Sequence, residues 1–550
     1  MKLPFHHQSF ARHFAVLRLT TWGSGLTFAM AISTWGWSQE SAPGKTQETT
    51  AGKESDRIGS SATLEWLQTK PSQRQESMPQ SPSSQTGANG IAATGSQDRI
   101  CSLSAQPTPA FQYRFWPSRF DLRPGSAQTH FYRAILQRSF VSQGLPKEKS
   151  DELNQLLGLD MEEVPVEAAR DFVERFESVF VELEAMAQSE DNSWDLRLRD
   201  LRGKDIWNFR LEDVQQARTL ARFLQVKIAA QIAERDYAGA TDSIRAGFRL
   251  AAFVGQGESI IQGLVGVAIE NVMLSAVEFA IRSPECPNFY WALQTLPTPL
   301  VPLRDAVESE LGMVFLMFPM LNESEATTLS DTELMQRLNR SIGDLRSLMS
   351  NNSTPIAGAD SIGLILTLTG EDAKTKLKQS GYDSAKLEKL TPLQASMVNA
   401  GRELKVHSDE LLKGIKVRGP EGDALRTKVL LDLERWASTR SGTAAGLIGG
   451  LIFPSTQNVH EALVRIEMMR QRLIAVEALR AYAAAHSGRL PESLSELSDT
   501  PVGVDPFSSQ PFEYRIEAKG DRQTVTLSSK VPQRFASLAE VKFEFPAVRQ

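Results

Sequence analysis

The chain has 550 residues, of which 41% are hydrophobic and 23% are charged, and its formal net charge is −6 at pH 7. That length supplies enough apolar material for a large core or for two domains. The acidic balance excludes a bulk attraction to nucleic acid or anionic lipid, so we predict no nucleic-acid partner.

Residues 1–38 have the pattern of an export signal. Three basic residues precede an uncharged run at 19–37, and Gly36 to Ser38 offers a small-x-small cleavage site. The basic residues are Lys2, Arg12 and Arg18. We predict cleavage, with a mature chain that begins near Gln39. The alternative is an uncleaved anchor that tethers the protein to the membrane through residues 19–37, because this run is almost long enough to span a bilayer. Both readings predict an exported protein of the periplasm or cell envelope.

Residues 39–106 are rich in Ser, Gln, Thr, Gly and Pro and poor in aromatic residues. Such a segment buries too little apolar surface to offset the entropy lost on ordering. We therefore predict a disordered linker over these residues.

The chain has two cysteines, Cys101 and Cys286. In an exported chain two thiols can form a disulfide. The alternative, which we favour, is two unrelated cysteines, because nothing in the sequence fixes their relative geometry. Two cysteines also exclude a zinc site made of four cysteines within one chain.

Residues 107–456 are predicted to form an α-helical domain. Within it, residues 213–253 have the apolar spacing of a helical hairpin, with the turn predicted at Asp236 to Gly239. The small residues around Tyr237 and Ala240 resemble one tetratricopeptide unit. No second copy occurs at a fixed spacing, so we predict an irregular helical-hairpin body rather than a repeat array.

An aromatic cluster, Phe289, Tyr290 and Trp291, begins a short predicted helix that Pro297 terminates. Such a cluster between prolines either forms a shelf for a ligand or wedges neighbouring helices together. We favour the wedge, because large aromatic side chains dominate packing in protein cores.

Residues 457–550 are predicted to form a small α+β module that starts with a long helix. Apolar residues recur at three- and four-residue steps from Val459 to Leu479, and Gly488 and Pro491 then end the helix. Several charged residues fall off this apolar stripe: Glu461, Arg465, Arg470, Arg472 and Arg480. The pattern predicts a helix that is polar on one side and about 40 Å long.

The second half of this module predicts an antiparallel sheet. Residues 512–518 and 524–528 alternate between apolar and polar, with a turn at Lys519 to Asp521, and residues 541–545 alternate again. Asp505, before Pro506, is predicted to form a turn. A calcium ion at Asp505 is not expected, because the oxygen-rich loop that calcium needs is not evident.

This module resembles the periplasmic part of type II secretion pseudopilins, in which a long helix also leads into a Leu-Pro step, an Asp-Pro motif and an aromatic strand. The matching residues are Leu490, Pro491, Leu494, Leu497, Asp505, Pro506, Phe507, Phe512 and Tyr514. A pilin's assembly helix lies at its mature N-terminus, whereas most of this chain precedes the helix. The resemblance therefore implies a reused module rather than a filament subunit.

Roughly residues 130–530 also resemble a family of uncharacterised exported proteins of planctomycete-type bacteria. The resemblance is carried by an Asn-x-Tyr-Trp-Ala-Leu-x-x-Leu-Pro motif at Asn288 to Pro297 and a Tyr-Ala-Ala-Ala-His-x-Gly-x-Leu-Pro-x-Ser-Leu motif at Tyr482 to Leu494. It implies the architecture and export, and it brings no activity or site residues.

The sequence contains no zincin pair, no nucleophile elbow and no phosphate-binding glycine loop. We therefore predict no catalytic, cofactor-binding or metal-binding residue and no cofactor.

The function that we favour is that of a non-catalytic, envelope-associated protein that acts through protein contacts with an unidentified protein partner; the oligomeric state is left open. The alternative is an exported enzyme or small-ligand binder whose polar groups converge only in the fold. Its candidates are Asp195, Glu308, Glu310, His407 and Asp409.

Overall fold

The structure is a computed structural model, and it describes residues 100–194, 196–202, 205, 212–349, 366–417, 419–439, 455–531 and 533–546. The predicted export signal, residues 1–38, and most of the predicted linker, residues 39–106, lie outside these residues.

The described chain is mainly helical and carries a small antiparallel sheet near its C-terminal end, which confirms the predicted mainly-α fold with a C-terminal sheet. The helices are α1 (Ala127–Gln143), α2 (Lys147–Leu156), α3 (Val166–Arg175), α4 (Glu177–Gln188), α5 (Glu212–Ala233), α6 (Tyr237–Gly255), α7 (Ile260–Arg282), α8 (Tyr290–Gln294), α9 (Leu303–Met317), α10 (Glu323–Thr328), α11 (Asp331–Met349), α12 (Gly370–Gln379), α13 (Ser384–Leu387), α14 (Pro392–Lys416), α15 (Gly419–Thr439) and α16 (Ser455–Ala485). The strands are β1 (Arg123–Ser126), β2 (Ser189–Asp191), β3 (Glu513–Lys519), β4 (Arg522–Ser528) and β5 (Glu540–Pro546).

Helices α5 and α6 form the helical hairpin that the apolar spacing predicts, but the predicted turn is misplaced. Tyr237 and Gly239 already belong to α6, and the chain reverses just before them, at Arg235, whose φ is 61°. Asp236 caps α6 by accepting a hydrogen bond from the backbone N–H of Gly239 at 2.9 Å. Aspartate is common both in turns and at the N-caps of helices, and here Asp236 is the N-cap of α6.

Helix α7 lies at the centre of the helical body. It begins with a capping box in which Ser259 and Gln262 each bond the other's backbone N–H. By length and composition alone, α7 is the one described helix that is long and apolar enough to cross a membrane, and 61% of its most apolar window is buried inside the protein. It packs against α5, α6, α9 and α16. A continuous apolar surface of this kind is equally characteristic of a helix at the centre of a core.

The contact between α6 and α7 depends on two glycines. A Cβ atom added at Gly266 would lie 2.6 Å from the Cα of Gly255 and 2.8 Å from the carbonyl oxygen of Ala251. Both neighbours are backbone atoms, so neither can move aside without shifting a helix. The pair therefore sets the distance between the two helix axes.

We expect Gly266→Ala to lower the free energy of unfolding by about 1–3 kcal/mol, because the added methyl group forces the helices apart. Gly312→Ala is the matched control, since Gly312 also lies within a helix but has no atom within 4 Å of an added Cβ. That substitution should stabilise the protein by about 0.5–1 kcal/mol through helix propensity. Urea unfolding of both variants tests the contact, and equal effects would contradict it.

The C-terminal sheet has the strand order β3-β4-β5, and both pairs are antiparallel. The predicted strands and the turn between the first two are confirmed to within about two residues, because their sequences alternate between apolar and polar residues. The parallel pair β1-β2 was not predicted. Those strands have four and three residues, too few to display a periodicity.

Helix α16 is longer than predicted, and several charged residues on its polar side are buried. Its 31 residues span about 46 Å. Arg470, Arg472, Glu477 and Arg480 are all buried. The apolar stripe is correct, yet parts of the helical body cover the opposite face as well, so the charged side chains there find partners inside the protein.

Residues 100–106 lie within the predicted linker, but the structure packs them into the fold. Ile100 forms a parallel bridge with Glu544 on β5, and the backbone N–H of Cys101 donates to the carbonyl of Glu544 at 2.7 Å. Ser102 donates to the carbonyl of Ile281 at 3.1 Å. Backbone hydrogen bonding of this kind does not require apolar side chains. The amino-acid composition of residues 100–106 therefore predicted a linker, although these residues belong to the fold.

Candidate functional site

The carboxylates on α9 that were considered for an enzyme or ligand site are engaged separately. Glu308 forms an ion pair with Lys416 at 2.7 Å. Glu310 accepts a hydrogen bond from the backbone N–H of Ile260, the first residue of α7, at 3.1 Å. Its role is therefore that of a cap for a neighbouring helix. Asp195 lies outside the described residues.

The candidates on α14 are also engaged locally. The ring of His407 packs 4.1 Å, centroid to centroid, from the ring of Trp436, and Asp409 forms an exposed ion pair with Lys405 at 3.0 Å. In the part of the chain that the structure describes, no group of three His, Cys, Asp or Glu side chains is arranged to hold a metal ion. The four candidates that the structure describes, Glu308, Glu310, His407 and Asp409, thus provide no common site.

The structure contains one histidine–carboxylate pair that was not predicted from the sequence. Nδ1 of His130 on α1 lies 2.6 Å from Oε2 of Glu182 on α4, and both side chains are half-buried. The two residues are 52 positions apart, so no local motif announces them. The pair joins two packed helices.

The aromatic cluster is a wedge, as predicted. Phe289 and Tyr290 are fully buried, and the Tyr290 hydroxyl donates to the carbonyl of Pro501 at 2.7 Å. The indole N–H of Trp291 donates to Gln106 at 3.0 Å. The cluster therefore fastens the helical body to both the segment before it and the loop after α16.

Beside this wedge lies a fully buried ion pair on α16. Glu477 and Arg480 are 0% exposed, and Nη1 of Arg480 lies 2.6 Å from Oε1 of Glu477. The other carboxylate oxygen accepts the backbone N–H of Phe289 at 2.5 Å, and Asn288 donates to the backbone carbonyl of Glu477 at 2.8 Å. A charge pair is tolerated in a dry interior only when such hydrogen bonds satisfy its remaining groups.

The guanidinium of Arg480 ties three segments of the chain together. It donates to the carbonyl of Ser102 at 2.6 Å and to the Ser102 hydroxyl at 2.9 Å. It also donates to the carbonyls of Cys286 at 2.9 Å and Pro287 at 3.3 Å. Burial raises the pKa of Glu477, and the adjacent guanidinium opposes that rise. The five donors of arginine suit this role, because no other side chain reaches so many acceptors in one plane.

Both cysteines border this pair. Cys101 and Cys286 are buried, no disulfide joins them, and the Arg480 guanidinium affects the pKa of both thiols. The fold thus brings together two residues that the sequence left unrelated. Burial raises the pKa of Cys101 to about 12 and that of Cys286 further still. Thiols of this kind are poor nucleophiles, since the thiolate is the reactive form.

Two buried ionisable side chains, Glu270 on α7 and Arg470 on α16, influence each other electrostatically where these helices pack. Glu270 and Arg470 are both almost fully buried, and Nη1 of Arg470 donates to the carbonyl of Pro297 at 2.8 Å. Burial raises the pKa of Glu270 to about 7, Arg470 opposes this rise, and Glu467 adds to it. The C-terminal half of α16 therefore contacts the helical body through buried polar side chains as well as apolar ones.

A cavity of about 170 Å³ lies along the first half of α16. Leu463, Val464 and Glu467 form its α16 wall, and the guanidinium-bearing side chains of Arg304 and Arg426 also line it. The loop that follows α16 supplies the remaining wall through Val504, Pro506, Phe507 and Ser509, with Gly419 at the start of α15. The cavity combines apolar surface with charges of both signs.

The loop beside this cavity is shaped by Asp505, which forms the turn that the sequence predicts. Its carboxylate accepts the backbone N–H of Phe507 at 3.0 Å and the hydroxyl of Ser508 at 2.6 Å. The backbone N–H of Ser509 returns to the carbonyl of Asp505 at 2.8 Å. The carboxylate is thus used to organise the loop.

Comparison of the chain with protein-family models, with curated proteins and with solved structures finds no match.

Proposed function

We propose that this chain is a non-catalytic exported protein, held at or near the cell envelope, which acts through contacts with another protein. The observation that carries the proposal is an exposed apolar patch on α1. Leu136 and Phe140 are 55% and 67% exposed and lie one helical turn apart on α1, whose buried residues are Ala127, Phe131 and Ala134. Adjacent exposed apolar side chains mark interaction surfaces far more often than single ones do.

The finer features of the proposal come from the sequence. They are an export signal at residues 1–38, membership of the planctomycete-type family of exported proteins, a tetratricopeptide-like hairpin at α5–α6 and a pseudopilin-like C-terminal module. Support for the last is limited to the arrangement of α16, the Asp505 turn and the three-stranded sheet. In this proposal the module is a structural support for the body, since α16 is buried against it.

Crosslinking of intact cells followed by mass spectrometry tests the proposal. We expect one protein to be captured reproducibly and in constant proportion with the chain. Phe140→Asp should abolish the capture without changing the melting temperature, because the side chain is exposed. Leu368→Asp is the matched control, since Leu368 is also exposed but belongs to another part of the body. Capture that is equal in both variants would contradict a role for α1.

A second candidate function, binding of a small ligand, is favoured by the cavity along α16. The positive charge of two arginines and an apolar wall fit a small carboxylate with an apolar group, and Glu467 offers a place for a cation on the same molecule. Arg304 and Arg426 are held in place by hydrogen bonds to the carbonyls of Ile415 and Gly414. Thermal-shift screening of the full chain against small carboxylates and amino acids tests this function. A shift that disappears in Glu467→Gln only for the zwitterionic compounds would support it.

A further inference from the structure

Strand β3 is an open edge of the C-terminal sheet. In the described part of the chain it pairs with β4 alone, while β5 at the other edge is bridged by Ile100. The side chains of Glu513, Arg515 and Glu517 are exposed on one face, and Tyr514 and Ile516 pack against the core on the other. An open edge of seven residues presents unpaired backbone groups that can bond another strand.

The hairpin fixes which backbone groups point outward. Lys519 and Arg522 close a two-residue turn, in which Gly520 has a φ of +65°. In a hairpin of this type the closing pair is hydrogen-bonded, and every second residue along the strand is bonded in the same way. The N–H and C=O groups of Tyr514, Ile516 and Ala518 therefore face away from β4.

We propose that β3 pairs in antiparallel fashion with β3 of a second copy of this chain, about a two-fold axis at Ile516. In this register Ile516 lies opposite Ile516 of the second copy, and Tyr514 lies opposite Ala518. The outward-facing groups then bond one another in roughly six backbone hydrogen bonds, since each such pair exchanges two. The two three-stranded sheets become one continuous sheet.

Charge complementarity favours a second copy of this strand as the partner, and it favours an axis on Ile516 over an axis on either neighbouring residue. Arg515 lies opposite Glu517 of the second copy, and Glu517 lies opposite Arg515. Such pairs are the non-hydrogen-bonded ones, in which cross-strand side chains approach most closely. A slip that centres the axis on Arg515 or on Glu517 instead sets like charges against each other. The ion pairs recorded for the described part of this sheet are Arg522–Glu544, Lys530–Glu513 and Lys542–Glu540, while Arg515 and Glu517 influence Lys542 only electrostatically.

The contact is expected to be reversible. Seven residues at about 3.3 Å each give an edge of roughly 23 Å, which buries less area than permanent dimers do. We therefore expect a dissociation constant in the micromolar range. The inference goes beyond the proposed function, because it uses the sheet edge rather than α1 and needs no other protein.

Sedimentation velocity of the purified full chain, over concentrations that bracket the micromolar range, tests the dimer. We expect a monomer–dimer equilibrium. Arg515→Glu and Glu517→Arg should each weaken dimerisation about tenfold, because each variant sets two like-charged pairs across the axis. The double variant Arg515→Glu/Glu517→Arg should restore the original affinity, since it exchanges the charges without changing their complementarity.

Two further variants separate the edge from other surfaces. Ala518→Pro removes an outward-facing N–H from an exposed position and should abolish the dimer with little effect on melting temperature. Glu540→Arg reverses a charge on β5, at the opposite edge, and should leave the dimer unchanged. A monomer at every concentration would overturn the inference, as would a dimer that tolerates Ala518→Pro. Because these measurements use the isolated chain, their failure is distinguishable from a failure to capture a partner in cells.

Discussion

Replacement of Glu477 by alanine is expected to lower the free energy of unfolding by about 3–5 kcal/mol, the cost of leaving one member of a buried ion pair without its partner. The guanidinium of Arg480 would remain in a dry site with only backbone carbonyls and one hydroxyl as acceptors. The backbone N–H of Phe289 would also lose its acceptor. Urea unfolding followed by circular dichroism measures the loss.

Two comparisons show whether the effect belongs to the pair. Lys149→Ala removes one member of an exposed ion pair with Glu152 and should cost less than about 1 kcal/mol. Glu477→Leu/Arg480→Met replaces both charges by apolar groups and should recover part of the loss, because no charge is then left buried. Recovery should be incomplete, since the carbonyls of Ser102 and Cys286 still lose their donor. A cost below about 1 kcal/mol for Glu477→Ala would contradict the structural role of the pair.

The Glu477–Arg480 ion pair is an example of a feature that cannot be predicted from the sequence of this protein. The helical hairpin, α16 and the three strands are predictable because their signals are local periodicities of three to four residues or of two. The burial of Arg480, in contrast, depends on residues that are distant from it in the sequence. Its acceptors include Ser102, which is 378 positions away along the chain, and only the folded arrangement shows that they meet. A charged residue beside an apolar stripe is normally solvated, so the usual expectation fails here.

The residues considered as candidate functional sites also divide into those whose roles depend on sequence neighbours and those whose roles depend on distant residues. The Asp505 turn and the aromatic wedge follow from residue types whose roles are fixed by neighbours in sequence, and both were predictable. The His130–Glu182 pair and the proximity of Cys101 to Cys286 depend on packing between helices or segments that are distant in sequence. The cavity along α16 likewise collects residues from four separate parts of the chain. No single stretch carries a signal for any of them.

The contribution of Glu270 to the free energy of unfolding should fall as the pH rises from about 4.5 to about 7, because Glu270 is protonated in the folded state over that interval and ionised in the unfolded chain. Its pKa is raised by burial from 4.5 to about 7. The folded state therefore binds more protons than the unfolded state, and the slope of unfolding free energy against pH is negative there. At about 1.4 kcal/mol per pKa unit, the loss attributable to Glu270 is at most about 3 kcal/mol.

Glu270→Gln isolates this contribution. Other carboxylates change the stability of both proteins alike, so the difference between wild type and Glu270→Gln, measured by urea unfolding at several pH values, should vary with pH only through Glu270. Arg470 and Glu467 face this carboxylate, and both remain in the variant. The exposed residue Glu371 provides the matched control, Glu371→Gln, whose difference from wild type should stay nearly constant. A constant difference for Glu270→Gln would show that the pKa of Glu270 is the same in the folded and unfolded states, which would contradict the pKa of about 7.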